Sequence, residues 1–390
     1  MISLRKAGIA GVIASAMALI GAGLPAQAAT APAWHQVLSF HYGPAANDFS
    51  SFTSVLPFGK NNVWALGGSD LSSGNGTTPQ VVATQWNGTR WSGNQAPAGV
   101  KSYVIAAGAS SASNIWAVTF SGGDVLHYDG HHWKVAKQLP ASGLLTGVTV
   151  LAANNVWVFG TSGFGPGDGT WHYNGSAWTH VTGKYVNMGG ASAVNASDMW
   201  GVASVNAPGD TLVRFNGTAW EPASMKGIPA GVHLGSLYAI SDKNVWATAS
   251  LSQNNSGIPY LLHFNGTTWT AGTLPWGASG DVSSLGSPTS DGAGGLWFTE
   301  TTTHNGPGNA FTRMYYLVHR SATGSWTRIQ VGSEIDAPSG TGGTLTDTVS
   351  GASLSDLTLI PGTKNLAGGG MARSKAGTSS SAVAWAYGAI

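Results

Sequence analysis

Four carboxylates are the residues of this chain best suited to chemistry, namely Asp48, Asp281, Glu300 and Asp347. The repeat described below is expected to place all four near one mouth of a central channel. Carboxylates that meet there could exchange protons with a substrate, hold a cation or accept hydrogen bonds from a glycan. Asp also caps loops in many proteins, and we favour that simpler role for these residues.

Three further side chains are candidate ligand contacts. Tyr103 and His233 are predicted at a depth comparable with that of the carboxylates, and Trp276 falls in a connection between two repeats. Thirteen of the 17 Trp residues occupy two repeated positions, where packing explains them. Trp171, Trp276 and Trp385 lie outside both positions. Trp276 is therefore the best candidate for stacking on a sugar ring.

The sequence offers little support for metal or thiol chemistry. The chain has no Cys, which excludes a thiol nucleophile and Cys-ligated metals. His127 and His132 flank a turn and are predicted to face each other. A metal site needs three or four ligands, and no carboxylate is predicted beside this pair. His172 and His263 occupy the position of His127 in other repeats, which indicates a structural role. We predict no metal and no cofactor, and we favour a protein without catalysis.

One short phrase recurs through the chain: an aromatic residue, Asn or Asp, Gly, two variable residues and Trp. It stands at 86–91, 128–133, 173–178, 215–220 and 264–269. A second Trp-containing phrase alternates with it, and its Trp residues lie 41 to 52 positions apart. They are Trp64, Trp116, Trp157, Trp200, Trp246 and Trp297. A period of this length is typical of solenoids, propellers and similar arrays.

Each repeat is interpreted as four short strands, named a to d in chain order. Strand a is an apolar run of small residues, strand b holds the second phrase, and the first phrase forms the c–d hairpin. Asn-Gly favours a two-residue turn with positive φ angles. This predicts a turn centred on Asn216 and Gly217, with Phe215 and Trp220 diagonally placed on one face. Such aromatic faces need a neighbouring sheet to cover them.

The strand count predicts a closed ring. Six b-strand Trp residues are visible, and Leu366 stands in the seventh b position. The seventh repeat has strand c at 382–388 but no strand d, whereas 32–38 carries a d-type Trp34 with no strand c before it. The predicted fold class is all-β. We expect a seven-bladed β-propeller in which the N-terminal strand completes the last blade.

The pattern resembles the β-propeller superfamily over essentially the whole mature chain, and specifically secreted bacterial propellers of the kelch/galactose-oxidase-like and Asp-box kinds. The Gly-x-x-Trp part of the first phrase is similar to the Asp-box turn, although an aromatic residue replaces its Asp. Galactose-oxidase-like chemistry uses a Cys-linked Tyr, which this chain cannot form. Sialidase chemistry needs three Arg around the axis, and only Arg313 and Arg373 are predicted near it. The resemblance therefore implies the fold and neither of these activities.

The N-terminus and the charge balance predict an exported protein. Arg5 and Lys6 precede an apolar stretch and an A-x-A end at Ala28, as in a secretory signal peptide. We expect residues 1–28 to be the signal and 29–390 to form one secreted, extracellular, monomeric domain without membrane insertion after cleavage. Charged residues are 8% of the chain, with 17 Lys and Arg against 16 Asp and Glu. This balance argues against a nucleic-acid partner.

Loop lengths indicate the face that would meet a partner. The b–c loops are predicted to be longest in repeats six, seven and one, with polar tips at 301–309, 374–381 and 69–79. Because the ring closes, these loops would raise a rim on one sector of one face.

Functions of different classes fit this face. We predict a non-catalytic binding module that presents it to a polysaccharide or a cell-surface protein. The alternative is a carbohydrate-active hydrolase or lyase that uses Asp281, Glu300 or Asp347. A third possibility is an envelope scaffold with no small ligand.

Overall fold

The protein is a ring of seven antiparallel β-sheets, which are the blades of a propeller. In a computed structural model, the described residues are 33–40, 49–69, 78–140, 144–161, 169–204, 210–253, 256–276, 282–305, 311–336, 352–373 and 380–388. Every element of regular secondary structure in these ranges is a β-strand, as the sequence predicts. No helix in this part of the chain is long and apolar enough to cross a membrane.

The blades follow one another along the chain, and the a strands of neighbouring blades touch around the axis. Blade one contains β2 (Ser51–Gly59), β3 (Asn62–Ser69) and β4 (Gln80–Trp86). Blade two contains β5 (Val104–Ser111), β6 (Asn114–Thr119), β7 (Asp124–Tyr128) and β8 (Trp133–Gln138). Blade three contains β9 (Leu144–Ala152), β10 (Asn155–Thr161), β11 (Trp171–Tyr173) and β12 (Trp178–His180). Blade four contains β13 (Met188–Asn195), β14 (Asp198–Ser204), β15 (Asp210–Phe215) and β16 (Trp220–Pro222).

The last three blades complete the ring. Blade five contains β17 (His233–Ser241), β18 (Asn244–Gln253), β19 (Ser256–Phe264) and β20 (Trp269–Thr273). Blade six contains β21 (Val282–Leu285), the short β22 (Thr289–Ser290), β23 (Leu296–Asn305), β24 (Phe311–Arg320) and β25 (Trp326–Asp336). Blade seven contains β26 (Ala352–Leu359), β27 (Leu366–Arg373), β28 (Ser380–Tyr387) and the N-terminal β1 (Trp34–Phe40).

The N-terminal strand closes the ring, which confirms the predicted topology. Strand β1 pairs antiparallel with β28, from Trp34 opposite Tyr387 to Phe40 opposite Ala382. Blade seven then meets blade one directly, because a Cβ added to Gly369 in β27 would lie 2.7 Å from the Val55 side chain. No sheet edge is left open at the join between the two ends of the chain.

Blade one differs from the predicted repeat because it has three strands. Where strand d was expected, the N–H of Ser92 donates to the Gln85 carbonyl at 2.8 Å, and the Ser92 hydroxyl accepts the Gln85 N–H at 2.9 Å. Asn94 then accepts the N–H of Ala83 through Oδ1 at 2.9 Å. Side chains here take the place of a strand backbone, so the prediction of four strands in every repeat is wrong for this blade.

The c–d turn lies one residue later in the chain than predicted, so the partner of each strand-c residue shifts by two positions. Phe215 pairs directly with Trp220, and the N–H of Asn216 donates to the Ala219 carbonyl at 3.2 Å. Gly217 is therefore the first central residue of the turn. The Asn oxygen accepts the N–H groups two and three residues onward at 3.0 Å each, which fixes this register. The other four copies share it.

Glycine is required in this turn for two reasons. Gly217 has φ +94°, which other residues adopt at a cost. A Cβ there would also lie 3.0 Å from the Ser197 side chain in the a–b turn of the same blade. The same close approach recurs between Gly175 and Asn154, where the distance would be 2.6 Å. The c–d turn therefore packs closely against the a–b turn of the same blade.

Aromatic contacts between blades form the core. The b-strand Trp64 of blade one packs on Tyr128 and Trp133 of blade two, with ring centroids 4.7 and 5.6 Å away. The next three b-strand Trp residues make the equivalent contacts at 4.9 to 6.2 Å. At the next seam Arg320 replaces the c-strand aromatic, and its guanidinium lies 4.9 Å from the Trp246 ring. Each of the seven seams has its own buried apolar cluster.

Replacing Gly217 with Ala should lower the free energy of unfolding by about 1–2 kcal/mol, because the side chain opposes the positive φ. Urea denaturation would measure the change. Gly93→Ala is the matched control, since its Cβ would meet nothing within 4 Å and its φ is ordinary. Equal stabilities for the two variants would contradict this explanation of the repeated glycine.

Candidate functional site

A cavity of about 400 Å³ lies in the central channel between the inner strands of blades three to six. Its wall combines hydroxyl side chains with glycine backbone, and its lining residues include Thr146, Gly190, Ser192, Ser236 and Ser287. Strands β13 and β17 begin near the cavity, and strand b of blade four ends beside it. The cavity therefore lies near the face of the b–c and d–a loops, which is the face that the sequence indicated.

The cavity hydroxyls retain hydrogen-bonding capacity. Ser192 accepts the N–H of Ala239 from the next blade at 2.8 Å. Ser287 and Ser236 lie 2.9 Å apart, oxygen to oxygen, and the Ser287 hydroxyl donates. In this arrangement the Ser192 and Ser236 protons have no acceptor among the described residues, so they can donate to a ligand.

Two glycines at a register shift between β13 and β14 widen the cavity. A Cβ at Gly189 or Gly190 would meet no atom within 4 Å, and neither residue has a positive φ. By contrast, a Cβ at Gly235 would lie 2.6 Å from the Thr248 hydroxyl. Glycine within a strand costs about 0.5–1 kcal/mol relative to Ala, and it often marks the close approach of a ligand or another backbone.

Of the residues predicted at the channel mouth, His233 lies beside this cavity. It is the first residue of β17, two positions before the cavity residue Gly235, and its side chain is 68% exposed. Its Nδ1 lies 3.7 Å from Asp210, whose carboxylate also accepts the N–H of Leu234 at 2.7 Å. His233 is free to meet a ligand approaching from the loop face.

Tyr103 lies at the start of blade two, and it is not part of the cavity. Its ring stacks on Phe120 at 4.9 Å, and burial raises the pKa of its hydroxyl. Gly68 of blade one makes room for it, since a Cβ there would lie within 3 Å of the Tyr103 side chain. These contacts give Tyr103 a packing role between the first two blades.

The structure places Glu300 inside the seam between blades five and six rather than at the channel mouth. Its side chain is 1% exposed and is held by Arg328, with N–O distances of 2.8 and 3.0 Å. The carboxylate reaches outward across β24 to strand d, where the Arg328 guanidinium lies 3.5 Å from the Tyr316 ring centroid. Trp276 covers the pair and donates its Nε1–H to Glu300 at 3.3 Å. Glu300 and Trp276, both predicted as ligand contacts, therefore make contacts within the protein instead.

The other three predicted carboxylates, Asp48, Asp281 and Asp347, lie outside the described residues, as do most of the predicted rim loops. In blade six the predicted loop 301–309 begins as strand, because β23 and β24 stay paired up to Asn305 and Phe311. That pairing extends blade six toward the loop-rich face.

Sequence reasoning missed one inner-strand carboxylate, Asp356 in β26. Its Oδ2 accepts the N–H of Val55 in blade one at 2.7 Å, so it bridges the ring-closing seam. Burial raises its pKa, although the N–H groups of Val55 and Leu357 oppose the shift. Among the described residues, no three His, Cys, Asp or Glu side chains lie close enough to hold a metal.

The repeated His residues belong to a structural triad. His127 lies 2.9 Å from the Asn114 oxygen, which also accepts the Trp116 Nε1–H at 2.9 Å. The His and Trp rings stack at 4.1 Å. His132 does not face His127, because the hairpin pairs His127 with Lys134 instead. The sequence-based view that this His position is structural is thus supported by its contacts.

Other blades have an equivalent hydrogen-bonded pair at these two positions. His172 and His263 bind Asn155 and Asn244 at 3.0 Å each. In blade four, the acceptor is a carboxylate and its partner is a cation. Arg214 donates to Asp198 at 2.6 and 2.8 Å.

Comparisons with known proteins support the fold. No family model matches the chain, and no curated protein matches it. The structure of YCF48 bound to D1 peptide is 12% identical, covers 94% of this chain and 97% of that chain, and has a TM-score of 0.53. Virginiamycin B lyase from Staphylococcus aureus is 8% identical, with coverage of 91% and 99% and a TM-score of 0.52.

A third similar structure is the extracellular domain of the putative hybrid two component system BT4673 from B. thetaiotaomicron. It is 12% identical, with a TM-score of 0.52, and the match covers 89% of this chain but 39% of that chain. At these identities the similarity shows a β-propeller fold alone.

Glu300→Leu should lower the free energy of unfolding by about 3–5 kcal/mol, because Arg328 would stay in the seam without its partner. The double variant Glu300→Leu with Arg328→Met should recover most of that loss, since apolar residues of similar size can replace a buried pair. Chemical denaturation checks both. A double variant as unstable as the single one would contradict a purely structural role for the pair.

Acid should weaken the fold through three His residues. Burial lowers the pKa of His127, His172 and His263 in the folded state. Their contribution to stability is therefore full above the unfolded pKa of about 6.5 and is lost as the pH falls below it. The triple His→Gln variant should show a shallower loss of unfolding free energy between pH 7 and pH 5.

Gln is the matched replacement because blade one uses it in the same position. Gln85 donates to Asn62 at 3.0 Å there. At pH 8 the triple variant should therefore keep most of the wild-type stability. Identical pH slopes for the variant and the wild type would rule out these His residues as the cause.

Proposed function

We propose that this protein is an exported, non-catalytic binding module that receives a neutral end of a polysaccharide in the channel mouth. The observation that carries the proposal is the cavity of about 400 Å³, which lies near the loop-rich face. Its volume falls within the range of about 300–1,000 Å³ that is usual for small-ligand pockets.

The chemistry of the wall favours a neutral ligand. None of the described residues that line the cavity is ionisable, so an ion entering it would lose water without gaining an opposite charge from them. Sugar hydroxyls both donate and accept hydrogen bonds, which matches the donor capacity of Ser192 and Ser236. Leu237 and Val202 add small apolar surfaces for the C–H faces of a sugar.

The engagement of Glu300 supports binding over catalysis. A general acid and base must reach the reacting atoms, and the carboxylate of Glu300 is bound to Arg328 in a seam. The catalytic alternative then depends on Asp281 and Asp347, which the structure does not describe. The experiment below includes that alternative.

Export is part of the same proposal. The predicted signal at 1–28 supports it, and the similar structure from B. thetaiotaomicron is an extracellular domain. We also place the chain with kelch-type or Asp-box propellers, because its repeated Asn-Gly turn and b-strand Trp resemble their motifs. Neither statement affects the choice of ligand.

Affinity electrophoresis through gels that contain neutral polysaccharides tests the proposal. The mature protein should be retarded by at least one neutral glucan, mannan or galactan, and alginate should not retard it. Ser192→Ala and Ser236→Ala should each weaken retention about 2–10-fold, as expected for one lost hydrogen bond. Gly190→Leu should abolish retention by filling the cavity.

Gly93→Leu is the matched control, because it adds the same side chain to an open position outside the cavity. Unchanged retention of Gly190→Leu would place binding elsewhere. Release of reducing or unsaturated sugars that disappears in Asp281→Asn would replace the binding proposal by catalysis. Retardation by alginate alone, or by no polysaccharide, would also overturn it.

A further inference from the structure

The outer edge of blade one is partly uncovered. The other blades have four or more strands, whereas blade one has three. The backbone of the segment after its last strand follows β4 only over residues 83–86, and the Asn94 side chain reaches on to Val81. On its outer side, the part of β4 nearest the loop-rich face has no strand beside it among the described residues.

Strand alternation identifies the groups left on this edge. Ala83 and Gln85 direct their N–H groups outward, to Asn94 and Ser92. Because the pattern has a period of two, Val81 also directs its N–H outward, and β4 has no register shift against β3. The Val81 carbonyl accepts the Asn94 Nδ2–H at 2.9 Å. Its N–H has no partner among the described residues, although Val81 is only 4% exposed.

An unpaired N–H on a buried residue needs an explanation. More than about 90% of buried backbone groups are paired in folded proteins. The next outward group along β4 is the Pro79 carbonyl, two residues away. Their residues are two positions apart, which is a rise of roughly 6.6 Å along the strand. An extended peptide presents a carbonyl and an N–H at the same spacing.

A pocket lies beside these two groups. It has a volume of about 460 Å³ and is lined by residues 78–81 and by the connection to blade two. Ala96, Pro97 and Val100 give it apolar walls. Among the described residues of that lining, Lys101 alone is charged, and it is exposed. The pocket therefore has space, a strand edge and one positive charge.

We propose that this groove binds an extended, carboxylate-bearing segment of a partner protein, which pairs with β4 at Val81 and adds a short fourth strand to blade one. Strand addition at an exposed edge is a general mode of peptide recognition. The carboxylate pairs with Lys101, and a small apolar side chain enters the pocket. This site is separate from the channel mouth and does not depend on the polysaccharide proposal.

The probe for this site comes from the chain itself. In blade six, residues 331–336 form the outer strand beside the equivalent part of strand c, from Gly332 opposite Tyr315 to Asp336 opposite Phe311. The acetylated hexapeptide VGSEID therefore has a sequence that pairs as an outer strand, and it carries carboxylates. The peptide VGSKIK, amidated at its C-terminus, is the charge-reversed control.

Amide hydrogen exchange and nitrogen-15 shifts of the full mature chain would report binding. With VGSEID in excess, the Val81 amide should shift and exchange at least about tenfold more slowly, because its N–H gains an acceptor. VGSKIK should bind at least about threefold more weakly. Lys101→Gln should weaken VGSEID binding by about 3–10-fold and remove its salt dependence. Ala98→Trp should block the groove.

No change at Val81 with millimolar VGSEID would overturn the proposal, and so would shifts confined to the channel residues or to another blade. Equal binding of both peptides, or no effect of Lys101→Gln, would overturn the assignment of a carboxylate-bearing partner. Self-association through this edge without peptide would assign it to a second copy of the chain. Ala98→Trp should keep its polysaccharide retention, so the two proposals can fail separately.

Discussion

The contact between the b-strand Trp of one blade and the two aromatic residues on the c–d hairpin of the next holds this ring together. The chain has no Cys, so packing supplies the cross-links between distant segments. Each seam buries its own apolar cluster, and no single blade can cover its aromatic face alone. The N-terminal strand contributes to the same packing, since its Trp34 lies in the apolar cluster between blades six and seven.

A second layer of contacts orients these Trp rings. The residue types at the two paired positions change together from blade to blade. Where one position is Asn, the other is His or Gln, and where it is Asp198, the other is Arg214. Glu300 and Arg328 follow the same rule within a seam. These charges are used to position strands, which leaves neutral groups to meet a ligand. The proposed binding through hydroxyls and backbone agrees with this use of the charges.

Both proposed binding sites arise where the repeat departs from its regular form. In blade four, Gly189 and Gly190 leave the channel wall without side chains. In blade one, Ser92 and Asn94 replace a strand and leave the Val81 N–H unpaired. The regular blades supply rigidity, because their aromatic faces pack against neighbouring blades. The irregular ones retain groups that can still form hydrogen bonds.

The sequence by itself determined the repeat, the number of blades and the closure of the ring, because these follow from local patterns that recur along the chain. It also indicated that the His position shared by His127, His172 and His263 is structural. The c–d turn register was decided by an Asn side chain that accepts two N–H groups, which the Asn-Gly pattern alone does not reveal.

Tertiary structure alone decided where Glu300 points. Strand alternation in β23 puts Glu300 on the same face as Phe298, and only the packed ring covers that face, in the seam between blades five and six. Its partner Arg328 lies two strands away and is reached only after blade six has folded. The cavity likewise exists only when four blades meet, since no one strand contains it.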